Sequence, residues 1–291
     1  VAARRIAGLP TSRGARLGYT RAAHAAPGAA DDADRRHRRH PREADIHGNL
    51  PALEAALADI LARGITRLLN LGDCASGMMW PRETTALLMR AEVPTLRGNH
   101  DRWLAEQDPA AMGRQDAFAR GETDAEQRAW LGGLPDRLHP APGVLACHGT
   151  PSSDTSNLLE EPAHGHLGPA PPGLVRERLG AEGNAATVVL CGHSHLPSIV
   201  RLPGGDGPLV VNPGSLGCPA FRVTRGPHPH RSESRSPQAR YAILHLPPEG
   251  PPAAELVAIA YDWEAAARRA ESLGSPAWAH ALRTGYISDE D

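Results

Sequence analysis

The chain contains no lysine; all 31 of its basic residues are arginine, set against 33 acidic ones. The formal net charge of -2 supplies no general pull toward nucleic acid or an anionic membrane. Aromatic residues amount to only 4%, so the core must be built from Leu, Val, Ile and Ala. Four cysteines (Cys74, Cys147, Cys191 and Cys218) are too few for a disulfide scaffold and follow no zinc-ribbon spacing. They read instead as small apolar fillers. No apolar run approaches the ~18 residues of a membrane span, and the stretch VAARRIAGLPTSRGARLGYT holds no apolar signal core. These absences point to a soluble, cytoplasmic protein with no membrane and no specific nucleic-acid partner.

What is plentiful is glycine (30), proline (28) and a hydrophobic fraction of 41%, enough for one sizeable core. Residues 1–44 are Ala/Arg/Gly-rich without periodicity and end in the basic run Arg35–Arg42, which reads as a disordered or aberrant segment. Order begins at Asp45, and residues 45–291 read as one domain. Leu50, Leu53, Leu57, Ile60 and Leu61 recur at helical spacing before Gly64. Further helices are expected over 81–90, from a capping box at Thr123–Glu126 through Trp130, and over 263–273 and 276–284. Short apolar runs at 66–71, 93–96, 143–147, 187–191, 199–202, 209–211, 241–246 and 256–261 predict strands, while 164–172 and 226–238 read as loops.

Polar clusters of ligand type fall directly after these apolar runs: Asp45-Ile46-His47, Gly72-Asp73, Gly98-Asn99-His100-Asp101, His148-Gly149 and Gly192-His193-Ser194-His195. In open α/β sheets the ends of such strands share a crevice. Carboxylate, amide and imidazole without thiolate suit Mn²⁺, Fe, Zn²⁺ or Ni²⁺ better than a structural zinc. In Asp45-x-His47 and His193-x-His195, alternate residues of an extended segment would point the same way. No single pair carries this reading; the ordered series of five does.

That order, DIHGN, GD, GNHD, HGTP and GHSH, resembles the calcineurin-like metallophosphoesterase superfamily. Asn212-Pro213-Gly214-Ser215 resembles its smaller bacterial phosphodiesterase branch. The resemblance implies an α/β fold, a four-layer αββα sandwich of two mixed sheets flanked by helices. It also implies two divalent cations, Mn²⁺ first and Fe, Zn²⁺ or Ni²⁺ as alternatives. Asp45, His47 and His195 would hold one; Asn99, His148 and His193 the other; Asp73 would bridge. Two cations about 3.5–4 Å apart clamp a phosphate oxygen and turn a shared water into hydroxide at neutral pH. His100 would protonate the leaving group of a small phosphate ester or steady the phosphate, and Asp101 resembles the acid that orients such a His, with a helix N-terminal acid as its alternative. Asp154 and Glu160–Glu161 read as structural, and His228 and His230 as loop residues within reach of the metals.

Two features cut against the simplest member of such a family. Protein serine/threonine phosphatases and dinucleoside polyphosphate hydrolases of this kind carry Arg just past the GD pair, whereas Cys74-Ala75-Ser76-Gly77 follow here. The residues before Asp45, Arg38-Arg39-His40-Pro41-Arg42-Glu43-Ala44, carry too much charge and a proline for a buried central strand. That predicts a missing strand, a poor substitute from Ile6–Leu9, or an out-of-frame N-terminal segment, and with any of these a weak first metal position. A binding module that keeps the fold without the activity is the corresponding non-enzymatic reading.

Overall fold

Period-two alternation sorts the strands of this protein into layers. The computed structural model describes residues 38–204 and 207–288, the first six by backbone alone. One sheet has the order β3 (Arg137–Ala141), β4 (Val144–Cys147), β7 (Val188–Leu190), β9 (Leu209–Asn212), β8 (Ser198–Arg201), with β4, β7 and β9 parallel. The other has the order β13 (Ala253–Ile259), β12 (Ala239–Leu246), β1 (Arg38–Glu43), β2 (Leu69–Asn70). Val144, Ala146, Val188, Leu190, Leu209 and Val211 face Ala242, Leu244, Leu69 and Leu71 in a core between the sheets. Their alternates Leu145, Cys147, Val189, Cys191 and Val210 pack outward against Val175 and Leu179 of α6 (Pro172–Ala185). On the other side Tyr241 and Ile243 pack against Leu53, Ala56, Leu57 and Ile60 of α1 (Leu50–Ala62). The result is the expected αββα sandwich. Each buried Leu or Val adds about 1.5–3 kcal/mol to it.

The helices begin where side chains can cap them. Asn49 accepts from the Ala52 N–H at the start of α1, and Asp262 does the same for Ala265 ahead of α7 (Trp263–Ser272). The expected capping box lies one residue further along. Asp124 is the N-cap of α5 (Ala125–Gly132): its carboxylate accepts from the Gln127 N–H and its own N–H donates to Gln127 Oε1, while the Thr123 hydroxyl is committed to Ala119 O of the preceding helix. Helices α2 (Pro81–Ala91), α3 (Asn99–Glu106), α4 (Arg114–Glu122) and α8 (Pro276–Thr284) complete the set, with one 3₁₀ turn at Pro109–Ala111.

Three expectations need correction. First, Arg38–Glu43 is a strand: β1 pairs antiparallel with β12 from Arg38 to Arg42 and parallel with β2 at Arg42 and Glu43. Pro41 lies opposite Ile243 but short of the two-residue contact with β2, so only one neighbour there requires ladder hydrogen bonds. Backbone pairing does not need apolar side chains, and the charge of the run misled. Ile6–Leu9 and the rest of residues 1–37 lie outside the described residues. Second, both expected loops contain strands. β5 (Glu160–Ala163) and β6 (His166–Pro169) form a hairpin, and β11 (His230–Glu233) pairs with β10 (Ala220–Val223), giving a small third sheet β10-β11-β6-β5. Third, the strands expected at 66–71 and 93–96 shrink to Leu69–Asn70 and a single parallel bridge between Asn70 and Thr95.

Candidate metal centre

β1, β2, β4 and β7 all end at the same edge of the sandwich, and the polar clusters follow them there. Asp45 and His47 come after β1, Asp73 after β2, His148 after β4, and His193 and His195 after β7. Asn99 and His100 open α3, where Leu96 has just paired with Asn70. Asp45, His47, Asp73, Asn99, His148 and His195 are all at most 3% exposed. The seven expected ligand residues therefore converge.

The local backbone is not the extended one that the D-x-H and H-x-H spacing suggests. Asp45, His47, Asp73, His193 and His195 all have positive φ, from 52° to 67°. Both members of each pair lie in turns, and the left-handed conformation aims them inward. Such strain in non-glycine residues persists only where the surroundings over-determine it. Here they do: Asp45 N–H donates to Gly72 O and His47 N–H to Asp73 O, while His193 N–H donates to the Asp45 carboxylate at 3.2 Å. The approach is close as well. A Cβ on Gly98 would stand 2.1 Å from Asp73 Oδ1, and one on Gly217 would stand 1.9 Å from Ile46 O.

Three imidazoles are oriented by their far nitrogens. Nδ1 of His47 is 2.9 Å from Ser76 O, Nδ1 of His148 is 2.8 Å from Leu71 O, and Nδ1 of His195 is 2.7 Å from Cys218 O. A carbonyl accepts only, so each Nδ1 carries the proton and each Nε2 turns toward the cluster, as metal-ligating histidines do. His47 Nε2 then lies 3.2 Å from His195 Nε2, and His148 Nε2 lies 3.3 Å from Asp73 Oδ2. His195 Nε2 is also 3.4 Å from Asp45 Oδ1. One end of the Asn99 amide faces both His148 Nε2 at 3.1 Å and His193 Nδ1 at 3.0 Å. In one amide orientation its N–H group donates to both rings; in the other its oxygen faces them, an arrangement that a cation or a ring proton satisfies. Asp73 is common to a triad with Asp45 and His47 and a triad with His148 and His193. The donor set fits a pair of divalent cations: clustered acceptors of mixed O and N type, consistent with a dinuclear site.

Electrostatics follow the same division. Burial and the neighbouring His195 hold His47 down to about 3, and burial with His148 holds His193 down to about 4, which favours the neutral, ligating form. Burial also opposes charge on His148, but Asp73 and Asp45 outweigh it and push the ring up to about 10. For Asp73 burial is likewise outweighed, by His148, His100 and His47, and its carboxyl sits well below the usual range.

Asp101 does not reach the His100 ring. Its carboxylate accepts from the N–H groups of Gly98, Asp73 and Cys74 at 2.8–3.0 Å, so it is a helix N-terminal acid that pins the Asp73 turn to α3. The carboxylate on His100 is that of Asp116, 2.8 Å from Nδ1 and contributed by α4. Nothing in the GNHD run pointed to it, because α4 lies 16 residues further along the chain. Residues outside the five ligand runs also shape the site. Ser215 Oγ donates to Asp45 O, and Asn212 Nδ2 donates to Gly192 O and Ser194 Oγ, so the NPGS loop ties the first and last ligand turns together. Cys218 stands beside His47 and His195. Asp154 makes a two-pronged ion pair with Arg102, and His230 lines the cleft while His228 supplies only a carbonyl to it.

Comparison with known proteins agrees with this geometry. Residues 43–228 match the calcineurin-like phosphoesterase superfamily domain. The chain belongs to that superfamily. It is 24% identical over 198 residues to an uncharacterized protein of Methanocaldococcus jannaschii, covering 62% of this chain and 77% of that protein. Among solved structures it resembles a metallophosphoesterase from Sphaerobacter thermophilus, with a TM-score of 0.65 and 22% identity over 85% of this chain and 99% of that one. At such identity the likeness establishes the shared fold. Among the described residues no helix is long and apolar enough to cross a membrane.

Proposed function

We propose that this member of the calcineurin-like superfamily is a phosphoesterase of the bacterial phosphodiesterase type. On this reading it hydrolyses a small phosphodiester or phosphomonoester with two divalent cations, Mn²⁺ first among them. The observation that carries the proposal is the position of Asp73, shared between the Asp45–His47 side and the His148–His193 side of one buried cluster. Asp45, His47 and His195 would hold one cation, Asn99, His148 and His193 the other, and Asp73 would bridge them. When bound, the pair supplies Lewis acidity at the phosphoryl oxygens and hydroxide at neutral pH.

The remaining work falls to side chains. His100 is anchored through Nδ1 to Asp116, which leaves Nε2 to face the cleft. Burial, which disfavours a proton on this ring, is outweighed by Asp73 and Asp116, so its pKa is raised. His100 would therefore give that proton to the departing alkoxide oxygen as its bond to phosphorus breaks. The strand β1 leading into Asp45 supports this reading over that of a binding module with a damaged first position.

The test is release of p-nitrophenolate from bis(p-nitrophenyl) phosphate with added Mn²⁺, beside a His148→Ala control. Metal-dependent turnover lost in the control is expected. A folded, Mn²⁺-loaded protein without turnover overturns the proposal.

A further inference from the structure

The cleft above the metal centre has about 830 Å³ of space, ample for more than a bare phosphate. In a chain with 4% aromatic residues, three of them come to this cleft from three separate elements. Trp103 of α3 stands edge-to-face on His100 with centroids 4.7 Å apart, and Phe221 of β10 stands on His195 at 4.6 Å. Trp278 of α8 stands on His47 at 6.2 Å. Each flat ring is thus braced against an imidazole of the candidate site. Between them the same walls carry carboxamides, of which Gln115 and Asn157 have no hydrogen-bond partner among the described residues.

These two kinds of surface define a ligand. Aromatic faces stack on another flat ring in a sequence-tolerant way, and a carboxamide offers a donor and an acceptor side by side, the complement of a nucleobase edge. An acyl or simple aryl ester would use the rings and leave the amides idle; a glycerol or sugar phosphate would do the reverse. We infer that the cleft is built for a phosphoester whose phosphorus carries a nucleoside, with the base between Trp103, Phe221 and Trp278 and its edge toward Asn157 or Gln115. This rests on the phosphoesterase reading above.

Two esters with the same leaving group separate this inference from that reading. Thymidine 5′-(p-nitrophenyl phosphate) and methyl p-nitrophenyl phosphate both lose p-nitrophenolate and differ only in the group that stays on phosphorus. With Mn²⁺-loaded protein, kcat/KM for the thymidine ester should exceed that for the methyl ester by about tenfold or more, the worth of one stacked base. Trp103→Leu should bring the ratio of the two toward unity. Asn157→Leu, in a half-exposed loop, should lower the ratio severalfold without endangering the fold.

Binding is read separately, by quenching of tryptophan emission with a non-hydrolysable thymidine 5′-phosphonate against methylphosphonate. Equal turnover of both esters, or a ratio untouched by both variants, overturns the nucleoside inference and leaves the phosphoesterase reading standing. No turnover of either ester, with selective quenching by the thymidine phosphonate, overturns the phosphoesterase reading and supports the nucleoside site. No turnover and no selective quenching overturns both.

Discussion

The two halves of the metal centre hang on sheets written in opposite styles. His148, His193 and His195 follow β4 and β7, whose sequences VLAC and VVL are buried at every position. Asp45 and His47 follow β1, which reads RRHPRE, and Asp73 follows a β2 of only two residues. Yet both halves deliver side chains to one cluster with ring and carboxylate atoms within 3.4 Å of each other. A continuous apolar run therefore marks some of the site-bearing strands but is not required of them. What Asp45, His47, Asp73, His193 and His195 share across the halves is left-handed backbone, and hydrogen bonds from neighbouring turns hold Asp45, His47 and His193.

If the halves act as one centre, damage to either should be equally severe. His148→Ala on the five-stranded side and Asp45→Ala on the other should each lower turnover at least a hundredfold, more than loss of an outer-shell partner does. Each should also remove about one of two bound ions by elemental analysis. Loss of ions in only one of the variants would show the halves to be independent. A protein that binds a single ion before mutation would revive the expectation of a weak first position.

Gly98→Ala strikes where the halves meet. Its Cβ would displace the Asp73 carboxylate, so metal affinity should fall together with a stability loss of roughly 1–3 kcal/mol, read by metal titration and thermal melting. Asp116→Asn keeps the shape of the His100 partner and removes its charge. A kcat lowered about ten- to a hundredfold, with ion content unchanged, is expected if Asp116 serves proton transfer rather than metal binding.

Metal should in turn clamp the halves together. Mn²⁺ at about a hundred times its Kd adds about 2.7 kcal/mol. That should raise the Tm by roughly 5–10 °C, and a chelator should reverse it.

The smallest expected effect concerns the brace between the His148 loop and α3. Asp154 is part-buried, and burial raises its carboxyl, but Arg102 outweighs this and holds it below 3.8. A depressed folded value means that the stabilisation is complete above the unfolded value and is lost as pH falls through the folded one. Asp154→Asn should therefore lower the Tm by about 2–4 °C at neutral pH, the effect of about 1 kcal/mol. The difference from the unaltered protein should shrink below pH 4; a difference that persists there would show that packing, not charge, makes the brace.

Legibility in the sequence followed the range of the interactions. The helices at 50–62 and 276–284 could be read because caps and apolar faces are local, and β4, β7 and β9 because they are buried on both faces. β1 could not be read, since its pairing with β12 joins residues some 200 positions apart and asks nothing of side-chain polarity. The ligand residue types were legible in five short runs, but their conformation was not; left-handed turns replaced the extended segments the spacing suggested. The carboxylate on His100 turned out to be Asp116 rather than Asp101 for the same reason, since only the packing of α4 against α3 decides which carboxylate meets His100.

The sequence by itself determined the superfamily and the sandwich, and it named seven candidate ligand side chains, because residue types and local periodicity are written along the chain. Only the tertiary structure decided that a charged run is a strand, that Asp116 anchors His100, and that three scattered aromatics wall one cleft. Those facts depend on distances through space between residues far apart in the chain, and no local pattern encodes them.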